Sequence, residues 1–237
     1  MRVLFPRIAA LLVLVSLGSA ASGEQVTFVL RLAGLKLGTL AYSDNVGPSS
    51  YAASMRFQTG GFAGLISSVT FEAKSQGRRV PNGDLSPTKY SEESLRDGER
   101  EVTEIVWRGK TPEITVETPA QPDRLEPREA TGSVDLMTGM HLLFRAIPSE
   151  DACQLNTMTY DGKRLMRLKL SEPGRDRSGQ MTCTGGLSRL KGVAPQGMID
   201  TMFEAFDMTY RPLPDNRIRV YRMVLWTPVG PIILAVE

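Results

Sequence analysis

The chain has 237 residues, with 28 basic and 26 acidic side chains, a single histidine and two cysteines. Two of the basic residues, Arg2 and Arg7, precede the first acid, Glu24, so loss of the first 23 residues leaves the charge balanced. A neutral chain with interspersed charge has no one-sided basic surface, which argues against nucleic acid as a partner, and the roughly 215 remaining residues suffice for one sizeable core.

Residues 1–23 read as a cleaved export signal. Arg2 and Arg7 bracket its start, Ile8 to Leu17 carries no charge, and Gly18-Ser19-Ala20-Ala21 supplies the small residues a signal peptidase needs. The apolar run is about ten residues where a spanning helix needs ~20, so no transmembrane anchor is expected after cleavage. Cys153 and Cys183 are the only cysteines. In an oxidising compartment an even count suggests a disulfide, and a closed loop of about 31 residues would contribute roughly 3.5 kcal/mol. Two free buried thiols are the alternative reading. A redox pair would be expected as Cys-x-x-Cys, a spacing this pair lacks.

The rest reads as strand after strand. Val26, Phe28, Leu30 and Leu32 alternate with polar or outward positions, and Leu35 to Tyr42 follows across Ala33-Gly34 as a first hairpin. Tyr51 to Gln58 and Val69 to Lys74 show the same period of two. Between them Gly60 to Ile66 is expected as a buried turn or short helix plugging the sheet, with a mobile lid as the functional alternative. Lys89 to Glu93, then Glu101 to Arg108 and Pro112 to Glu117 follow, the last two joined by Gly109-Lys110-Thr111. Pro119 to Arg128 holds three prolines and four charges and is the candidate linker or long surface loop.

Ser133 to Arg145 changes to helical spacing, with Val134, Leu136, Met137, Met140, Leu143 and Phe144 on one stripe and Ser133 placed to cap the first turn. Leu155 to Tyr160 and Lys163 to Leu170 flank Asp161-Gly162, which predicts a type I′ hairpin with both central residues at positive φ. The cysteines lie just before this hairpin and in the strand near Met181 to Thr184. Gly197 to Met208 is expected as a second short helix, and the chain closes with Arg217 to Trp226 and Gly230 to Val236 as a hairpin. Roughly a dozen amphipathic strands predict a mainly β fold: a strongly curved antiparallel sheet or incomplete β-barrel with two or three short helices. Residues 24–237 form one β-rich domain on this reading, with two lobes meeting near 119–128 as the variant arrangement.

No residue set announces a reaction. His141 is the only histidine, so a second His ligand for zinc is impossible, and no Gly-x-Ser-x-Gly elbow exists; a partly buried or surface role is expected for it. The acid pairs Glu92 with Glu93, Glu101 with Glu104, and Glu150 with Asp151 would need a fixed separation in a cleft to act as glycosidase carboxylates. Gly60-Gly61 and Gly185-Gly186 lack the ending of a phosphate loop and read as turns. The sequence therefore offers no catalytic, metal or cofactor residues. If the sheet curls, Phe28, Phe57, Phe62, Phe71, Trp107, Met137, Met140 and Trp226 are the candidates to line an apolar interior.

Six motifs stand in order: Leu32-Ala33-Gly34-Leu35-Lys36-Leu37-Gly38-Thr39-Leu40, Thr59-Gly60-Gly61-Phe62-Ala63-Gly64-Leu65, Leu85-Ser86-Pro87-Thr88-Lys89-Tyr90, Val134-Asp135-Leu136-Met137-Thr138, Tyr160-Asp161-Gly162-Lys163-Arg164 and Thr227-Pro228-Val229-Gly230. Their order and spacing resemble the exported bacterial proteins grouped as domain of unknown function 3108, in the version found in alphaproteobacteria, over nearly all of the mature chain. One departure is Leu136, where the family usually has Pro. The resemblance implies a periplasmic envelope protein with a β-rich fold and a cysteine pair flanking the Asp-Gly hairpin, and it implies no catalytic residues. The expected function is non-enzymatic: binding of an apolar, lipid-like molecule or an envelope protein in cell-envelope assembly or maintenance. A module that pairs a partner at a sheet edge is the alternative, and a hydrolase of envelope polymers a further one.

Overall fold

One sheet accounts for most of the chain. The computed structural model describes residues 22–81, 83–194, 201 and 203–237, leaving aside the side chains of Ser22, Phe62, Leu65 and Ile66. All but the last two residues of the expected export signal lie outside the described residues. A first meander runs through β1 (Ser22–Leu32), β2 (Leu35–Val46), β3 (Ser50–Thr59), β4 (Val69–Arg79), β5 (Leu85–Arg96), β6 (Glu99–Arg108) and β7 (Thr111–Thr118), with the short helix α1 (Gly61–Ile66) between β3 and β4. The chain then passes β8 (Val134–Asp135), helix α2 (Leu136–Phe144) and β9 (Ile147–Pro148). A second meander follows through β10 (Asn156–Tyr160), β11 (Arg164–Arg175), β12 (Met181–Gly192), β13 (Phe206–Pro212), β14 (Arg217–Thr227) and β15 (Gly230–Val236).

The two meanders are joined where the last strand pairs with the first, Phe28 opposite Val236 through Leu32 opposite Ile232. The sheet order is therefore β7-β6-β5-β4-β3-β2-β1-β15-β14-β13-β12-β11-β10-β8, with β9 on the side of β14. Among the described residues every main pairing is antiparallel, and only β8 runs parallel, on β10. Among the described residues the two ends of the sheet, β7 and β8, do not pair with each other, so the barrel stays open at one seam. The segment after β7 crosses that seam: Leu125 N–H donates to the Lys163 carbonyl, and the buried Tyr160 hydroxyl donates to the Leu125 carbonyl at 3.1 Å. The expected linker over Pro119 to Arg128 is thus a strap across the seam, with Leu125 buried under it.

The strand parity read from the sequence decides which side chains enter the barrel. Phe28 and Leu30 on β1, Leu40 and Tyr42 on β2, Met55 and Phe57 on β3, and Leu225, Ile232 and Leu234 near the chain end are all buried. Inside this wall runs α2, whose nine residues Leu-Met-Thr-Gly-Met-His-Leu-Leu-Phe contain no formal charge apart from the titratable imidazole. Met137, Met140, Leu143 and Phe144 are all almost fully buried, each contributing about 1.5–3 kcal/mol. A helix apolar nearly all round belongs in an interior rather than on a sheet face. The helix cap is Asp135, whose carboxylate accepts from the Thr138 amide at 2.7 Å. The expected cap Ser133 instead turns back to the Ala130 carbonyl, because Val134 and Asp135 are extended to pair with β10.

Three further local expectations are corrected. Asp161 has a negative φ, so the turn before β11 is not type I′; only Gly162 is left-handed, at φ 97°. The Asp161 carboxylate sets that turn by accepting the amides of Lys163 and Arg164, each at 2.8 Å, whereas Asp97-Gly98 carries the paired positive φ values, 51° and 95°. Gly185 and Gly186 lie inside β12 rather than in a turn; a Cβ on Gly186 would stand 2.3 Å from the Glu204 carbonyl oxygen. Of the helix expected over 197–208, residues 197–200 and 202 lie outside the described residues, and Phe206 to Met208 belong to β13. Cys153 and Cys183 are bonded, with Cα atoms 5.4 Å apart, tying the start of the second meander to β12 across β11.

Candidate functional site

Antiparallel pairing gathers the turns 33–34, 97–98, 161–163 and 228–229 on one rim of the barrel, here the upper rim, and α2 leaves it toward the other. Beneath the upper rim lies an apolar cavity of about 90 Å³ whose walls include Leu40, Met55, Phe57, Phe71, Met140 and Met166. Leu187 and Phe203 close it from the second meander. Its polar end is formed by Glu92, Asp161 and Arg164. Phe71, Glu92 and Arg164 also line a second, charged space of about 270 Å³ that reaches Arg96, Glu99, Glu101 and Lys163. The two spaces are thus continuous in their walls, apolar inside and charged at the mouth, and the mouth sits at the seam beside Gln121.

The polar end has a definite electrostatic arrangement. Arg164 Nε donates to Asp161 Oδ2 at 2.8 Å, and Lys163 Nζ donates to Glu101 Oε2 at 2.7 Å. Glu92 accepts the hydroxyl of the buried Tyr90. Burial, and then the Asp161 charge, push the Glu92 carboxyl up to about 7, against the opposing pull of Lys163 and Arg164. Burial and the neighbouring Glu92 raise Tyr90 well above the usual phenol range.

A second polar cluster surrounds α2. Thr138 Oγ1 donates to Asp135 Oδ2 at 2.6 Å, Ser75 Oγ donates to the same oxygen at 2.8 Å, and Tyr51 meets Thr138 at 2.6 Å. Burial lifts Asp135 to about 6, with these hydrogen bonds holding it back. One turn on, Tyr42 donates to Asp44 Oδ2 at 2.7 Å and stands 2.7 Å from His141 Nδ1. Burial works against the Asp44 charge, yet the hydrogen bonds from His141 and Tyr42 hold its carboxyl below the usual range. His141 is fully enclosed, with the Tyr51 ring stacked at 5.8 Å, so the surface position considered from sequence is corrected. Its partners are a tyrosine and an aspartate, and no serine stands in that set. A cleft of about 320 Å³ at the lower rim, between Arg79 and Arg145, ends on this cluster.

The sequence candidates distribute unevenly. Phe57, Phe71 and Met140 line the apolar cavity. Phe28 packs on Phe144 at 5.3 Å between ring centres, Met137 is core, and Trp107 is buried with its indole N–H on the Ser133 carbonyl. Phe62 has its side chain outside the described residues. Trp226 is corrected: strand parity puts Leu225 inside, so Trp226 faces out, half exposed, with its indole N–H on Asp207 at 2.9 Å. The two acid pairs on strands separate for the same reason, and the third lies in a turn. Glu92 turns inward, Glu93 outward to Arg100 at 2.7 Å, Glu101 goes to Lys163, Glu104 to Lys89 at 3.1 Å, and Glu150 and Asp151 are exposed. The pair that does share a cavity, Glu92 with Asp161, is distant in sequence. Parity held a signal for Glu92, which follows the buried Tyr90 by two residues on β5.

No protein-family model matches the chain, and no curated protein matches it. Among solved structures it is similar to a beta-barrel-like protein of domain of unknown function 1849 from Brucella abortus, 12% identical, with a TM-score of 0.49 over 92% of this chain and 96% of that one. Among the described residues no helix is long and apolar enough to cross a membrane.

Proposed function

We propose that this chain is an exported, non-enzymatic periplasmic protein that holds a slender, single-chain amphiphile and serves cell-envelope assembly or maintenance. The observation that carries the reading is the shared wall of the two upper spaces: Phe71, Glu92 and Arg164 join an apolar interior to a charged mouth. That is the arrangement an acyl chain with a polar head would use. Size narrows the class. The apolar part, at about 90 Å³, is smaller than the roughly 150 Å³ cavity that admits benzene in an engineered protein core, so it accommodates a few methylene groups and not two acyl chains. A disulfide between Cys153 and Cys183 suits an oxidising compartment. The ordered motifs from Leu32 to Gly230 support membership of the family grouped as domain of unknown function 3108. Sheet-edge pairing with a partner is less well supported, because the segment after β7 lies along that edge, with Gly132 N–H on the Lys110 carbonyl.

Titration with a dansylated fatty acid tests the reading. The wild type is expected to bind one equivalent saturably, and Met140→Trp or Leu187→Trp, each filling the cavity, to weaken binding at least about tenfold while circular dichroism shows both folded. Absence of saturable binding, or binding indifferent to both variants, refutes it. One observation favours a second reading, hydrolysis of an envelope polymer: Glu92 and Asp161 share a cavity, and Glu92 is raised into the range of a general acid. Under that reading peptidoglycan digests show turnover that Glu92→Gln abolishes; under ours they show none.

A further inference from the structure

Seven large apolar side chains are exposed among the described residues, and five of them, Leu35, Leu95, Leu190, Trp226 and Val229, stand on the upper rim where the cavity opens. Single exposed apolar residues are ordinary; their collection at one end of a barrel is not. Three of them are neighbours along the rim. Leu35 opposes Leu32, Leu32 opposes Ile232, and Trp226 opposes Pro231, which puts the tip of the first hairpin beside the tip that carries Val229. α1 continues the same line, its entry fixed by the Gly60 amide on the Leu37 carbonyl. Leu95 directly precedes Arg96, which lines the mouth, and Leu190 stands near the upper end of β12, three residues before Val193, which also lines it.

Basic side chains adjoin three of these residues in the chain. Leu35 is followed by Lys36, Leu95 by Arg96, and Leu190 lies between Arg189 and Lys191, all exposed. Acids stand among them, three of them engaged: Asp97 accepts the Ser68 amide at 2.8 Å and the Ser67 hydroxyl at 2.9 Å, Asp207 accepts the Trp226 indole N–H at 2.9 Å, and Glu129 pairs with Lys191 at 3.1 Å, while Glu99 opposes Arg96 across the 97–98 turn. Apolar tips with basic neighbours and an outward-facing tryptophan match the interface of an anionic bilayer, where acyl boundary, phosphate and headgroup layer meet in that order. Val229 stands on a turn, and Leu35, Leu95, Leu190 and Trp226 stand near the upper ends of four different strands.

We infer that the upper rim is a membrane-docking surface that sets the cavity mouth against an anionic lipid bilayer, so that an amphiphile passes between bilayer and cavity without crossing bulk water. The inference deepens the amphiphile reading and rests on it for its purpose, while the contact itself is separately testable.

The test is flotation of the mature protein with phosphatidylglycerol–phosphatidylethanolamine vesicles, alongside tryptophan emission. Trp107 is buried and Trp226 exposed, so a blue shift on adding vesicles reports Trp226. The wild type is expected to float and to shift, more weakly with pure phosphatidylcholine vesicles. The pair Leu35→Glu with Val229→Glu, on exposed turns, is expected to cut flotation at least about fivefold, and Val116→Glu, exposed away from the rim, to leave it unchanged. Failure to float, or flotation indifferent to the Leu35 and Val229 substitutions, overturns the inference. So does a Trp226 shift with delipidated envelope protein but not with vesicles, which assigns the rim to a protein partner. Met140→Trp separates the two claims: it is expected to lose the dansylated fatty acid and still float. Fatty-acid binding without flotation removes only the docking surface, and flotation without fatty-acid binding removes only the cavity reading.

Discussion

Replacing Glu92 by Gln should make the protein relatively more stable as the pH rises. Burial and Asp161 raise this carboxyl from 4.5 to about 7 in the folded protein. Between those values the native state holds a proton that the unfolded chain has released, so stability falls with rising pH, and the loss is complete only above the folded value. Between pH 5 and pH 8 the wild type loses roughly 2–3 kcal/mol through this group, which for a domain of this size is a melting shift of roughly 5–10 °C. Gln keeps an acceptor for the Tyr90 hydroxyl and carries no charge, so Glu92→Gln removes that pH dependence. Thermal unfolding by circular dichroism at pH 5, 6, 7 and 8, with the disulfide intact, reads it out. The melting difference between variant and wild type should widen in favour of the variant across the series; Asp135, raised to about 6, titrates in both proteins and cancels. A difference that stays constant with pH refutes the buried setting of Glu92.

Three other outcomes are expected. Gly186→Ala brings a Cβ against the Glu204 backbone oxygen, so β12 or the segment leading into β13 must move, and urea denaturation should show a loss of about 1–3 kcal/mol. Replacing Cys153 and Cys183 together by Ser should cost about 2–5 kcal/mol and leave no mass change on treatment with a reductant and alkylating agent; a wild type that takes up two alkyl groups after unfolding without reductant contradicts the bond. Tyr42→Phe strips Asp44 and His141 of a shared hydroxyl and should lower stability by about 1–3 kcal/mol, with α2 loosened first in amide exchange.

Much of the fold was legible because period-two alternation is a local signal. The strands around Val26, Tyr51, Val69 and Arg217 could be read from a few residues each, and their number and amphipathicity required a curved sheet. What was missed depended on partners distant in sequence. β5 begins at Leu85 because Pro87 is accommodated where the register with Gly77 shifts, an irregularity that no local pattern announces. Gly185-Gly186 has the composition of a turn, and only the approach of the Glu204 carbonyl and of Phe206 explains it as strand. The helix stripe was read correctly as apolar, but its full enclosure follows from the closure of β1 on β15, which joins the two ends of the chain. The site was the least legible part. Asp161 was assigned to its turn, which it does set, and its second role beside Glu92 arises because the turn at 161–163 and β5 meet at the seam. Sequence-adjacent acids drew attention for the wrong reason, since neighbours on a strand face opposite ways.

The measurement closest to the central claim is native mass spectrometry of the mature protein isolated from its own envelope, followed by organic extraction of whatever accompanies it. One single-chain amphiphile per protein is expected, absent from Met140→Trp isolated in the same way. A wild-type protein that arrives bare and stays bare after incubation with envelope lipids contradicts it.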